Sequence, residues 1–395
     1  MRYLLKSIAL VYMLILSSDS FSQVGIVFDE SGYKAVLERS KAEKKPVFYM
    51  VYATWCSHCN KMKEEVFTDP EVASFMNKNF ICAWQDLEKG EGTMLKNKFG
   101  IKSFPYFLFL DGDGTVLYNI MGEFKSAGLL AEAKLALDPM QQLPYLEKQF
   151  MENPSNHDKC VALMTALRKG REREDLSPYA LTYLRTVSDA ELISANNWKV
   201  IANGVNNIES REFQYVLKHQ KEFAAVSSPT RVKKKIINIV SEYLRPSTES
   251  LDTITYNKRR PVAKSINMPV SDSLVFTYDL LINERTKNWK AYKKIAAAST
   301  EAYVYSDLKS VKAIAQNYLM NVEDLPSLRL AIKWALHTSE LKESYESYLL
   351  IAKLYKKTKD IKQSIVYATK AKDLGKQMGW QAKDAEELLL TLGVK

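Results

Sequence analysis

The pattern of apolar positions changes at about residue 140 of the 395-residue chain. Before that point, dense β-branched and aromatic runs predict strands at 47–52, 80–84, 106–110 and 115–121. The segments between them predict helices at 31–44, at 93–99, at 126–137 and in a stretch that ends near 67. A further helix is expected to begin at Asp69-Pro70, because aspartate caps helices and proline suits the first helical position. Strands interleaved with helices over about a hundred residues predict one α/β domain at 23–140.

Beyond residue 140 almost every segment has the apolar spacing of a helix, so residues 141–395 predict an all-α domain of helical hairpins. Proline residues and the basic run at 258–260 predict an interruption of the helices over 245–271. The predicted helices lie at 143–153, 157–169, 178–187, 190–205, 211–226, 230–244, 273–282, 288–299, 305–320, 326–338, 343–357, 361–374 and 382–392.

Residues 302–392 contain a weak internal similarity. The segment 331–335 aligns with 364–368, 33 residues later, and small residues in both would let helices approach closely while neighbouring aromatic residues fill the gaps. This spacing resembles tetratricopeptide-type helical hairpins. An irregular all-α bundle without a binding groove is the alternative.

The first 22 residues have the pattern of a signal peptide. Arg2 and Lys6 flank an apolar run of ten residues at 7–16, which is too short to span a bilayer. Ser20-Phe21-Ser22 then offers a cleavage site that would leave Gln23 as the first residue. We therefore expect an exported protein, and the bacterial periplasm is the expected compartment. An uncleaved anchor or a buried N-terminal helix is the alternative.

The formal net charge of +10 is unevenly distributed. Residues 23–140 carry 14 basic and 16 acidic side chains, whereas residues 141–395 carry 40 basic and 29 acidic ones. The basic runs 233–235 and 258–260 predict solvated faces, and an attraction to acidic partners is the alternative. No aromatic residues alternate with these charges and no nucleic-acid-binding motif is present, so no nucleic-acid partner is expected.

The candidate chemistry lies at Cys56 and Cys59, at a predicted strand-to-helix junction. A cysteine at a helix N-terminus is favoured as a thiolate by the unsatisfied N–H groups and the helix dipole. A second cysteine within the first turn can attack a mixed disulfide formed by the first. A structural zinc site would need two further ligands, for which only Cys82 and His58 are near, and we expect no metal. An inert structural disulfide is the other alternative.

The remaining two cysteines are expected to be unreactive. Cys82 lies within an apolar strand and Cys160 on the apolar face of a helix, so both predict buried thiols. A Cys82–Cys160 bridge is the alternative in an exported protein.

The residues around the cysteine pair carry a resemblance to a known family. The segment YATWCSHCNK at 52–61 resembles the active site of the thioredoxin superfamily. EVFTDPEV at 65–72 is similar to the C-terminal thioredoxin-like domain of the thiol:disulfide interchange protein DsbD. IKSFPY at 101–106 resembles the superfamily's cis-proline loop, and Gly122 matches a glycine near the same surface. The resemblance covers residues 25–138.

The resemblance implies a role for each residue of the motif. Cys56 would be the attacking thiolate and Cys59 the resolving thiol. Trp55, Phe104, Pro105 and Gly122 would form the surface that binds a client's extended chain, with the Phe104–Pro105 bond in the cis form. His58 would support the Cys56 thiolate by charge or hydrogen bonding. A solvent-facing His58 of small effect is the alternative, as is an ordinary turn at Pro105.

Two positions depart from the family pattern. Many superfamily reductases bury a carboxylate six residues before the first cysteine, where this chain has Met50. Lys63 stands where the DsbD-like domain carries another acid. The surrounding sequence indicates a reductive role, whereas a histidine between the cysteines is typical of oxidising and isomerising branches. The direction of electron flow therefore stays open, with a reductase or isomerase favoured over an oxidase.

Two functions are compatible with these features. The first is an exported protein disulfide oxidoreductase that needs no cofactor, acts on client proteins with disulfides or thiols, and exchanges electrons with a membrane redox partner. The second is a non-catalytic helical scaffold whose thioredoxin-like domain only docks extended peptides. The intact cysteine pair favours the enzyme, because a pure binder has no need of both thiols.

Overall fold

The structure, a computed structural model, describes residues 25–170 and 176–394. The chain divides into two compact units, Met1–Val205 and Asn206–Lys395. The predicted signal peptide at 1–22 lies outside the described residues. Within the described ranges, no helix is both long and apolar enough to cross a membrane.

A five-stranded mixed sheet forms the centre of the first unit. The strands are β1 (Phe28–Asp29), β2 (Val47–Tyr52), β3 (Ile81–Asp86), β4 (Tyr106–Leu110) and β5 (Val116–Met121). Their spatial order is β1-β3-β2-β4-β5; β1, β3 and β2 run parallel, and β4 and β5 are antiparallel to their neighbours. The two central strands β2 and β4 are almost wholly buried, as expected for continuous apolar runs.

Helices cover both faces of this sheet and enclose two apolar cores, one on each face. Asp69 caps α3 as predicted, because its side chain accepts hydrogen bonds from the backbone N–H groups of Glu71 and Val72. The helices are α1 (Tyr33–Glu43), α2 (Ser57–Lys61), which continues into a π-helical turn (Met62–Val66), α3 (Pro70–Asn79), α4 (Gly92–Phe99) and α5 (Ser126–Leu137). A 3₁₀ turn (Pro139–Gln141) follows.

The helices that follow the sheet belong to the same compact unit. The backbone N–H of Met121, in the edge strand β5, donates to Lys169 O, and Tyr106 Oη donates to Gly170 O at 2.6 Å. The compact unit extends to Val205, beyond the domain boundary expected at residue 140. That boundary stays a prediction. These helices are α6 (Leu143–Glu152), α7 (His157–Arg168), α8 (Ser177–Leu184), α9 (Asp189–Leu192) and α10 (Ala195–Gly204).

The second unit is built of helices throughout its described part. Its helices are α11 (Arg211–Lys218), α12 (Gln220–Val226), α13 (Pro229–Glu249), α14 (Thr253–Lys264), α15 (Pro269–Arg285), α16 (Trp289–Tyr303), α17 (Leu308–Asn321), α18 (Leu325–Leu341), α19 (Tyr345–Lys357), α20 (Ile361–Gln377) and α21 (Lys383–Thr391). Small residues of the proposed repeat, Ala331, Ala352 and Ala368, are fully buried in one core. The tetratricopeptide assignment itself stays a prediction.

The predicted interruption over 245–271 is wrong for most of its length, because the chain leaves the helices only at 250–252 and 265–268 and the prolines do not end them. Pro246 and Pro261 lie inside helices α13 and α14, and Pro269 occupies the first turn of α15. The side-chain hydroxyls of Ser247 and Thr248 both donate to Leu244 O and support the turn that contains Pro246. Burial of that turn, with Thr248 fully inaccessible, outweighs the local cost of proline.

Candidate active site

The two cysteines lie where β2 passes into α2. Cys56 is the N-cap residue, and its Sγ accepts a hydrogen bond of 3.2 Å from the backbone N–H of Cys59. The two sulfurs are joined as a disulfide. Cys59 is completely buried, whereas Cys56 keeps 6% of its surface exposed. Of the two residues, only Cys56 therefore has surface through which a client could reach the disulfide.

Trp55 and Phe104 join the cysteine segment to the proline loop. Trp55 is 67% exposed, and its ring meets that of Phe104 edge-on at 5.9 Å between centroids. The indole N–H donates to Glu88 Oε1 at 2.9 Å and so holds the ring in place. The result is an exposed aromatic surface beside Cys56 with a restrained orientation.

The proline loop has the predicted geometry. The Phe104–Pro105 peptide bond is cis, which confirms what the family resemblance implied. The backbone N–H of Gly122 donates to Pro105 O at 2.9 Å. Gly122 has a φ of +101°, a region that favours glycine, so the residue type follows from its backbone conformation. The structure thus brings Trp55, Phe104, Pro105 and Gly122 together.

His58 is paired with an acid that the sequence analysis did not identify. His58 Nδ1 lies 2.7 Å from Glu123 Oε2, and Lys61 Nζ donates to Glu123 Oε1 at 2.5 Å. The hydrogen bond from Lys61, with a second from His58, lowers the pKa of Glu123. The only feature of the sequence that pointed to Glu123 was its position directly after Gly122. The His58 side chain is 66% exposed, and its contact with Glu123 holds the ring at the surface of the protein.

The two positions at which related proteins carry an acid are occupied here by Met50 and Lys63, and they differ in burial. Met50 is fully buried in the same apolar core as Cys59. The Lys63 ammonium lies 3.1 Å from the centroid of the Tyr52 ring. A buried carboxylate stands nearby at Asp86, which ends β3 opposite Tyr52.

The other two cysteines are free and buried, so the prediction of two buried thiols is confirmed and the Cys82–Cys160 bridge is excluded. Burial raises the pKa of each thiol to about 12. In the part of the chain that the structure describes, no three or more His, Cys, Asp and Glu side chains form a group that could hold a metal ion.

Comparisons with known proteins assign the first part of the chain. The family described as Thioredoxin-like domain matches residues 33–136. The thioredoxin-like protein HCF164 of Arabidopsis thaliana chloroplasts is 27% identical over 109 residues, which cover 27% of this chain and 40% of that protein. The chain spans less than half the length of each curated relative that it matches.

Two solved structures are similar to the same part of the chain. A protein from Bacteroides thetaiotaomicron is 35% identical over 29% of this chain and 94% of its own, with a TM-score of 0.28. The oxidised C-terminal domain of DsbD from Neisseria meningitidis is 22% identical over 28% of this chain and 97% of its own, with a TM-score of 0.24. Residues 33–136 form a thioredoxin-like domain, as the family match, the mixed sheet, the CxxC pair and the cis-proline show.

Proposed function

We propose that this protein is a thiol–disulfide oxidoreductase that exchanges the Cys56–Cys59 pair with the thiols and disulfides of client proteins. The observation that carries the proposal is the difference in exposure between the two disulfide-bonded residues, with 6% of the surface for Cys56 and none for Cys59. This difference sets the order of the two steps. Cys56, which has exposed surface, forms the bond with the client, and the buried Cys59 then resolves that mixed disulfide.

In the reductive direction the exchange proceeds in two displacements. The Cys56 thiolate attacks one sulfur of a client disulfide; a bond between Cys56 and the client forms, the client S–S bond breaks, and a client thiolate leaves. Cys59 then loses its proton and attacks Cys56 Sγ, which restores the Cys56–Cys59 disulfide and releases the second client thiolate. The client gains two electrons and the protein loses two. The reverse sequence delivers a disulfide to the client.

The surface beside Cys56 suits an extended client chain. Trp55 and Phe104 offer apolar contact, and the Pro105 loop offers backbone groups. The exposed Trp55 ring is held by Glu88, so little side-chain entropy is lost when a client binds. We assign Trp55, Phe104, Pro105 and Gly122 to client binding, and His58 to support of the reaction.

The test is a pair of cysteine variants. With insulin and dithiothreitol, the wild-type protein should accelerate insulin reduction, and Cys56→Ser should abolish the acceleration. Reduced Cys59→Ser, incubated with insulin after dithiothreitol has been removed, should accumulate a mixed disulfide between Cys56 and the client, visible as a mass increase that added dithiothreitol reverses. Full activity of Cys56→Ser would overturn the proposal. Peptide binding without any exchange by the wild type would favour the non-catalytic scaffold.

The direction of exchange is measured by the reduction potential of the pair. We favour a reductase or isomerase, which predicts a value nearer about −270 mV than about −120 mV. A reduction potential near about −120 mV would indicate an oxidase and would overturn that preference.

We also propose that the protein is exported to a periplasmic compartment, where it meets clients and a membrane redox partner. The support is the sequence pattern of residues 1–22. N-terminal sequencing of the protein from the exported fraction should begin at Gln23. Recovery in the cytoplasm with an intact N-terminus would contradict this proposal.

A further inference from the structure

Lys63 holds a partly buried positive charge next to the core that contains the redox pair. Its Nζ lies 3.1 Å from the centroid of the Tyr52 ring and 4.6 Å from that of Trp84. Both rings attract a cation through their π faces, and they meet each other edge-on at 6.1 Å. The ammonium therefore has a defined position.

The position of this charge is tied to Cys59 in two ways. Lys63 follows Cys59 by four residues along one continuous helical segment, which is α-helical to Lys61 and π-helical from Met62, so the two side chains are separated by about one turn. The rings of Tyr52 and Trp84 pack on the apolar core that contains Cys56, Cys59 and Met50. Because Lys63 and both rings are half-buried, part of the field of this charge passes through protein, where it is screened less than in bulk water.

Two carboxylates and a second lysine surround this ammonium. Asp86 interacts with Lys63, and Asp86 Oδ2 is itself 3.6 Å from Lys89 Nζ. Glu30 Oε1 accepts a hydrogen bond of 3.1 Å from the indole N–H of Trp84. Desolvation by burial lowers the pKa of Lys63, while Asp86 acts in the opposite direction and supports the charged form. Loss of the Lys63 charge would make this group of side chains, which lies against the core that contains the sulfurs, more negative by one unit.

We propose that Lys63 is a positioning residue whose charge, placed by Tyr52 and Trp84, favours the thiolate of the reduced cysteine pair and so makes the disulfide a stronger oxidant. This inference rests on the proposed function. Reduction of the disulfide takes up two electrons and one proton to give one thiol and one thiolate, and the negative charge that appears on sulfur is what the ammonium stabilises. When Cys59 resolves a mixed disulfide, the same charge eases the loss of its proton.

The test is equilibration of the full-length protein with reduced and oxidised glutathione, in which two glutathione thiols supply the electrons and become one glutathione disulfide. Lys63→Met keeps the unbranched apolar stem and removes the charge. We expect its equilibrium constant for reduction to fall about tenfold relative to wild type, which corresponds to about 30 mV towards more negative potential. Lys63→Arg keeps a cation that can stack on both rings and should stay within about threefold of wild type.

Lys78→Met is the matched control, because it removes an equal charge from an exposed position of α3. It should leave the potential unchanged. Lys63→Gln provides a second neutral side chain if Lys63→Met does not fold. A folded neutral variant with the wild-type potential, or with a more positive one, would overturn the inference while leaving the proposed function intact. Failure of the wild-type pair to equilibrate with glutathione at all would instead overturn the proposed function.

Discussion

At the scale of single residues, the chemistry depends on partners that are distant in sequence. Glu88 orients Trp55 from 33 positions away, and Glu123 binds His58 from 65 positions away. Cys56 and Cys59 are evident from the sequence because their spacing is itself the signal. Glu88 and Glu123 are not, since nothing in a local pattern says which acid will contact which tryptophan or histidine.

The Glu123 contacts predict a pH-dependent contribution to stability. Lys61, followed by His58, lowers the pKa of Glu123 below its ordinary value of 4.5. A carboxyl group with a lowered folded-state pKa stabilises the protein above its unfolded pKa and loses that contribution as the pH falls through the folded value. Glu123→Gln should therefore reduce the free energy of unfolding at pH 7, and the difference from wild type should shrink below about pH 4.5.

Denaturant titrations of both proteins at several pH values measure this difference. Glu64→Gln, an exposed substitution on the neighbouring π-helical turn, is the control and should change stability little at any pH. A Glu123→Gln effect that does not vary with pH would show that the carboxylate charge is not involved.

The buried thiols predict selective labelling. A pKa of about 12 leaves roughly one thiolate in ten thousand at pH 8, so Cys82 and Cys160 should not react with iodoacetamide in the reduced, native protein. Cys56, the accessible sulfur, should be modified first. Peptide mass spectrometry gives the sites, and labelling in denaturant should modify all four cysteines. Rapid native labelling of Cys160 would contradict the buried assignment.

At the scale of elements, prediction succeeded where one local signal dominates. Strands β2 and β4 lie at the predicted residues because their runs are apolar without interruption and are buried on both faces. β1 was missed because two residues are too few for a periodic pattern. The helices predicted at 190–205 and 211–226 are each divided in two, at Ile193-Ser194 and at His219. Ser194 caps α10 and shows that a polar capping residue can begin a new helix within one apolar pattern.

Helix packing predicts opposite effects for two glycine substitutions. In Gly204→Ala, at the end of α10, the new Cβ would lie 2.1 Å from the Cβ of Ala180 in α8. Alanine has the better helix propensity, by about 1 kcal/mol. We nevertheless expect a net loss of about 1–3 kcal/mol in the free energy of unfolding, because the close approach must be relieved by moving a packed helix.

Gly128→Ala in α5 is the matched comparison, because its new Cβ meets nothing nearer than 3.6 Å. It should be neutral or stabilising by up to about 1 kcal/mol. Chemical denaturation of the two variants measures the contrast. Equal effects at both positions would mean that packing between α8 and α10 is looser than described.

At the scale of the whole molecule, the first compact unit extends past the thioredoxin-like domain. Lys169 Nζ bonds Glu132 and the hydroxyl of Tyr118, and Gly170 O accepts from Tyr106. Residues 169–170 thereby cover part of the edge strand β5, which would otherwise expose unpaired backbone groups. The changes in charge and in apolar pattern at residue 140 suggested a boundary there. They carry no information on the contacts that residues 169–170 make with the sheet.

Truncated chains test where the first domain ends. A chain of residues 23–205 should be more stable than one of residues 23–140 by about 2–6 kcal/mol, the order expected for the four hydrogen bonds that Lys169 and Gly170 make with Met121, Tyr106, Tyr118 and Glu132. Thermal and denaturant unfolding of the two chains measure the difference. Equal stabilities would place the boundary at 140, as the sequence suggested.

The sequence by itself determined the cysteine pair, the central strands and the capped helices, because each is encoded by contiguous residues whose local energies agree. The cis-proline loop was expected only through the family resemblance. The tertiary structure alone decided the electrostatic surroundings of the sulfurs: Glu123 on His58, and Lys63 on the rings of Tyr52 and Trp84. It also kept Pro246 within a helix and covered the edge of β5. The physical reason is that charge and burial act through space, so their effect depends on which distant segments the fold places side by side.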